Sequence, residues 1–158
     1  MSHYKHLSIE ERESLYPRLL RAAAPQYFSP KRELSHYLSM ASGNFREYLK
    51  GDMVRAKKYF YVLRPVLACR WILDKGTPPP MLFEELMAAE LAPALHADVE
   101  TLLSLKRNAP EVKTIPRIDS LNLYLSESIA EISAQIVNLP DDTRHGWEEL
   151  NRLFLSQL

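Results

Sequence analysis

Lys57, Tyr61 and Arg64 recur at spacings of four and three within the stretch KKYFYVLRPVLACRWI, residues 57–72. On an α-helix that spacing stacks a cation, a phenol and a second cation along one stripe, which Ala68 continues. Such a stripe suits an anion, above all a phosphate, held by charge-assisted hydrogen bonds. Pro65 adds to it. It has no N–H to give to the Tyr61 carbonyl and its ring presses on that turn, so a kink and one unclaimed main-chain acceptor are predicted beside Arg64. A purely structural alternative exists: Lys57 and Arg64 could pair with Glu47, Glu84 or Glu85 on neighbouring helices and only orient the fold. The stripe alone leaves both readings open.

The segment that carries these residues is apolar nearly all round, with Phe60, Trp71 and Ile72 flanking the stripe, and Lys58 and Arg70 on other faces. A helix of that kind is packed by neighbours on most sides, so its cations are at least partly desolvated. The sequence predicts that it runs from about Asp52 to Lys75 and stops at Gly76 and TPPP. Before it, Ser29-Pro30 opens a helix whose Leu34, Leu38, Ala41, Phe45, Tyr48 and Leu49 share one arc, and the KGD step at 50–52 breaks it. After it come two shorter helices, over 81–91 and 94–108, divided at Pro93. A loop follows from Pro110 to Pro116, then a helical stripe of Leu121, Leu125, Ile129, Ile132 and Ile136. Ser8 with Glu11 forms a capping-box pattern for a first helix, and Trp147, Leu150, Leu153 and Phe154 mark a last one. Four glycines and no Asn-Gly or Asp-Gly step argue against a β-rich fold. The expectation is one all-α domain over residues 1–158, a helical bundle of about six to seven helices around a central Pro-kinked helix.

Lys plus Arg equals Asp plus Glu at 20 each in a chain of 158 residues, so no global field collects polyanions and any anion site must be a local cluster. The one cysteine, Cys69, lies in an apolar run, which predicts a buried inert thiol and fits a reducing cytoplasm. No apolar stretch reaches the roughly 20 residues a membrane span needs, and MSHYKHLSIEERES lacks a signal-peptide core. A soluble cytoplasmic protein without membrane attachment is expected. His36 shares a helix face with Met40, Asn44 and Glu47 and is a candidate cleft residue. With no H-x-x-x-H or C-x-x-C spacing, a zinc site is not expected.

The motifs HYLSMA at 36–41, NFREYL at 44–49, KKYFYVLRPVLACRWI at 57–72 and PPMLFEEL at 79–86 stand in a fixed order. LLSLK at 102–106 and LNRLFLSQL at 150–158 extend the pattern. Together they resemble the C-terminal helical half of the nucleotidyltransferases of the DNA polymerase β superfamily, in the group linked to RNA repair. The resemblance runs from about Leu19 to the end. It implies a helical domain that closes over a nucleoside triphosphate, with Lys57, Tyr61 and Arg64 as phosphate- or nucleotide-binding residues and His36, Asn44 and Glu47 lining the cleft. It also implies Mg2+ and a nucleoside triphosphate for the complete enzyme, with no cofactor held by this chain. The expected partners are a catalytic nucleotidyltransferase domain or chain, the nucleotide and an RNA end, with self-association through an exposed apolar face.

One departure matters. Superfamily members use a Gly-Ser turn, a D-x-D pair and a third carboxylate to hold two metal ions. This sequence has no Gly-Ser step, and its aspartates at 52, 74, 98, 119, 141 and 142 include no pair two apart. Asp98-Val-Glu100 and Glu11-Arg-Glu13 lie in helical patterns without a glycine-rich turn, so no catalytic residue is assigned. Two further readings are an interaction module standing alone and a helical ribonuclease partner of toxin–antitoxin type. The latter would want Arg and His four to six residues apart, whereas Arg32 and His36 have three between them.

Overall fold

The computed structural model describes residues 28–140. Helix α1 (Pro30–Tyr48) begins at the expected proline and buries Leu34 and Ala41, with Leu49 buried just beyond its end. Helix α2 (Lys58–Lys75) is the centre of the fold, with α1 along its length and later helices on other sides. Ten of its eighteen residues are buried, among them Val62, Leu63, Val66 and Leu67, which gives it neighbours on most of its circumference. Each large apolar side chain so buried stabilises the fold by about 1.5–3 kcal/mol relative to exposure. The helix stops where Gly76 adopts φ 66°, a left-handed turn open to glycine at little cost, and its N–H returns to the Ile72 carbonyl at 2.8 Å.

The start of α2 differs from the expected Asp52. Met53–Arg55 is extended as β1 and pairs antiparallel with β2 (Thr114–Pro116), in register Met53↔Pro116, Val54↔Ile115 and Arg55↔Thr114. The anticipated Pro110–Pro116 loop therefore ends in a strand. Three residues are too few for period-two alternation to stand out from a helical background, and Val54 is the one buried side chain of β1.

Helices α3 (Phe83–Glu90) and α4 (His96–Asn108) follow, joined by a 3-10 turn at Pro93–Leu95. Helix α5 (Asp119–Val137) packs against α1 and α2. Its buried stripe is Leu121, Leu125, Ser128, Ile132 and Ile136. Ser128 takes the inward place expected of Ile129 because its Oγ accepts a hydrogen bond from Arg70 of α2 at 2.8 Å. The described residues thus hold five α-helices, one 3-10 turn and a two-stranded ribbon, a mainly all-α fold. The expected first and last helices lie outside the described residues. Among the described residues, no helix is long and apolar enough to cross a membrane.

Three segments are tied where α2 begins. The Tyr59 hydroxyl donates to Asn122 Oδ1 at 2.6 Å and accepts the Ile118 N–H at 2.8 Å, while Asn122 Nδ2 donates to the Leu49 carbonyl at 2.6 Å. Burial raises the Tyr59 phenol above its ordinary pKa, which keeps it a donor. This network fixes the end of α2 that carries Tyr61, with Lys57 just before it, against the adjoining ends of α1 and α5.

Candidate anion-binding site

The four cations of KKYFYVLRPVLACRWI meet different surroundings. Lys58, 9% exposed, places its ammonium 4.0 Å from the ring centre of Tyr48 and 4.3 Å from that of Tyr61. Arg70 donates to Glu131 at 2.9 Å and to Ser128. These two are accounted for inside the fold. Lys57 and Arg64 are exposed, and among the described residues neither forms an ion pair with Glu47, Glu84, Glu85 or any other carboxylate. The purely structural alternative for them therefore has no contact behind it.

Arg64 is nonetheless held in place. Its Nη1 donates to the Met81 carbonyl at 2.9 Å, and the guanidinium lies 5.6 Å from the Phe83 ring centre. That single bond leaves most of the five guanidinium donors free. Tyr61 stands beside it, 46% exposed. The Tyr61 carbonyl, deprived of a donor by Pro65, lies 3.5 Å from Asn44 Nδ2, at the outer limit of a hydrogen bond. Asn44 makes its closer bond, 2.9 Å, to the Met40 carbonyl of its own helix. The acceptor expected to remain unclaimed thus has a weak partner on α1.

Tyr61, Arg64 and Asn44 line one cavity of about 570 Å³, closed by Met81, Phe83 and the Lys106 of α4. Lys57 does not. It opens into an adjacent cavity of about 250 Å³ with Arg55, Lys106 and Lys113. Phe60 and Lys106 belong to both walls. Tyr61 and Arg64 lie on α2 and Lys57 is the residue just before it, and the two cations line neighbouring cavities. His36 and Glu47 are exposed and line neither; the His36 ring packs at 5.6 Å from that of Tyr37. Lys106 was missed as a site residue although it closes the LLSLK motif, because a lysine in the last turn of a helix reads as an ordinary C-terminal charge.

Among the described residues, no three His, Cys, Asp or Glu side chains are grouped to hold a metal ion. Asp98 accepts the Ser120 hydroxyl at 3.0 Å and links α4 to α5. Glu100 is exposed on another side of α4, beside Glu84 and His96. These residues do not form the carboxylate set that two-metal chemistry needs. Cys69 is buried, with its thiol 3.7 Å from the Leu34 carbonyl and pushed up to about 12 by burial, an inert group.

Residues 9–156 match the profile of the RlaP family, described as an RNA repair pathway DNA polymerase beta family. The chain belongs to that family. It is also 42% identical over 138 residues to the uncharacterized protein YcgL of Bacillus subtilis (strain 168), covering 87% of this chain and 53% of YcgL. The chain therefore spans about half the length of this curated relative. No solved structure matches the sequence. In this member of the RNA repair pathway DNA polymerase beta family, Arg64 on α2 and Lys57 just before it form no ion pair among the described residues, and both line cavities.

Proposed function

We propose that this chain is the helical, nucleotide-binding part of a nucleotidyltransferase, closing over a nucleoside triphosphate while a catalytic part elsewhere performs the transfer. The observation that carries this reading is Arg64: a guanidinium held by a main-chain carbonyl, with no ion pair among the described residues, at the edge of a cavity large enough for a nucleotide, whose lining also includes Glu84. Its free donors can grip a phosphate bidentately, Lys106 supplies a second charge from the facing helix, and the Tyr61 hydroxyl a further hydrogen bond. The complete enzyme would bring Mg2+ with the triphosphate; no metal ligand is assigned to this chain.

Inorganic tripolyphosphate isolates the phosphate contribution from base recognition. Arg64→Ala should weaken its binding roughly tenfold to a hundredfold by calorimetric titration, the loss of about 1.5–3 kcal/mol from a charged hydrogen bond. Arg64 is exposed, so the variant should keep its helical circular dichroism. Unchanged tripolyphosphate affinity would sink the reading.

A second reading, an interaction module, is favoured by one observation. Met81, Leu82 and Tyr61 are 89%, 59% and 46% exposed around the same cleft. A catalytic domain or chain closing on the nucleotide would cover them, as would a second copy of this chain. Arg32 and His36 are exposed on α1 and line neither cavity, so nothing favours the ribonuclease reading.

A further inference from the structure

The smaller cavity is charged in one sense only. Among the described residues, Arg55, Lys57, Lys106 and Lys113 line its about 250 Å³ and no carboxylate does, in a chain whose charges balance at 20 each. Regular structure fixes their backbones. Arg55 is paired to Thr114 within the ribbon, and the Lys113 carbonyl accepts the Ala56 N–H at 3.0 Å. Lys57 adjoins the first turn of α2, which holds no acidic residue, and Lys106 lies in the last turn of α4. The remaining wall is apolar, with Phe60, Leu102, Leu105 and Val112.

Four like charges around so small a space repel one another, and a multiply charged anion relieves that repulsion. A phosphomonoester, close to dianionic at neutral pH, meets the requirement. The Lys106 ammonium lies 5.5 Å from the Phe60 ring centre, and the apolar wall of Leu102, Leu105 and Val112 offers a sugar or base a surface to lie on. The volume falls below the roughly 300–1,000 Å³ of sites that engulf a whole small ligand, so it suits one terminal group.

We propose that this cavity seats the terminal phosphate of a nucleic-acid strand, as a binding subsite at which no bond is made or broken. The proposal rests on the nucleotidyltransferase reading. With Phe60 and Lys106 shared, strand end and nucleotide would lie on opposite sides of one wall.

The test compares short oligoribonucleotides bearing either a terminal phosphate or only terminal hydroxyls, by fluorescence anisotropy with the 158-residue chain. The phosphorylated strand should bind more tightly. Arg55→Glu combined with Lys113→Glu should remove that preference, a loss of about tenfold for the phosphorylated strand. Both positions are exposed; should the double variant lose helical signal, Lys113→Gln replaces it. Equal weakening for both strands would reduce the cavity to diffuse attraction for polyanions and overturn the proposal. So would a free nucleoside monophosphate that competes as well as the phosphorylated strand, since the ligand would then be a small molecule. Loss of tripolyphosphate binding in Arg64→Ala reports on the neighbouring cleft, whereas loss of the terminal-phosphate preference in Arg55→Glu with Lys113→Glu reports on this cavity, so the failure of either reading is told apart from the other.

Discussion

Lys58 illustrates how a helix surrounded by neighbours keeps a cation without an acid. Its ammonium sits between the faces of Tyr48 and Tyr61, where ring quadrupoles replace part of the lost hydration. Lys58→Met keeps the aliphatic stem and removes the charge. It should lower the stability measured by urea denaturation by about 1 kcal/mol, and an unchanged or higher midpoint would contradict the account. At this scale the sequence was informative about residue types and silent about partners. It marked four cations in one apolar helix as unusual, but only coordinates separate Lys58 and Arg70, which are satisfied within the fold, from Lys57 and Arg64. The same limit explains His36 and Glu47: they share a helix with Asn44, yet only Asn44 reaches the cavity beside Tyr61.

Between elements, the C-terminal ends of α2 and α3 meet through two acids. Glu90, the last residue of α3, has one carboxylate oxygen buried without a hydrogen-bond partner. Burial, reinforced by the neighbouring Asp74 carboxyl, pushes Glu90 up to about 7 from an ordinary 4.5, with Lys75 and Arg70 opposing the rise. Between pH 4.5 and 7 the folded chain keeps a proton that the unfolded chain releases. Stability should therefore fall as pH rises through that window and level off above it. Glu90→Gln should flatten the dependence in thermal melts across the window, and an equally steep dependence in the variant would refute the assignment. Periodicity located α1 and α5 well because both are long and amphipathic. It placed the start of α2 too early because the short strand β1 leaves almost no pattern. It chose Ile129 over Ser128 because hydropathy cannot anticipate a half-buried arginine donating to a hydroxyl.

For the whole molecule, the family was legible in sequence while the cavities were not. A long motif survives as linear text; a cavity between the ribbon and α4 exists only after residues from positions 55 and 113 are brought together. Neutral overall charge likewise hides a corner of four cations, visible only once the chain is folded.

The β1–β2 ribbon joins Met53 to Pro116, 63 positions apart (116 − 53), and so encloses α2, α3 and α4 within one long chain excursion. Closing an excursion of that length carries an entropic cost of roughly 3–4 kcal/mol before any strand contact repays it. The order of assembly follows: neighbouring helices zip first and the clasp shuts last, after the rate-limiting step. Val54→Ala, at a side chain only 2% exposed, should then speed unfolding in stopped-flow measurements and leave the refolding rate almost untouched. A slowed refolding limb would instead make the clasp part of the nucleus, and the basic corner beside it one of the earliest features of the chain to take shape.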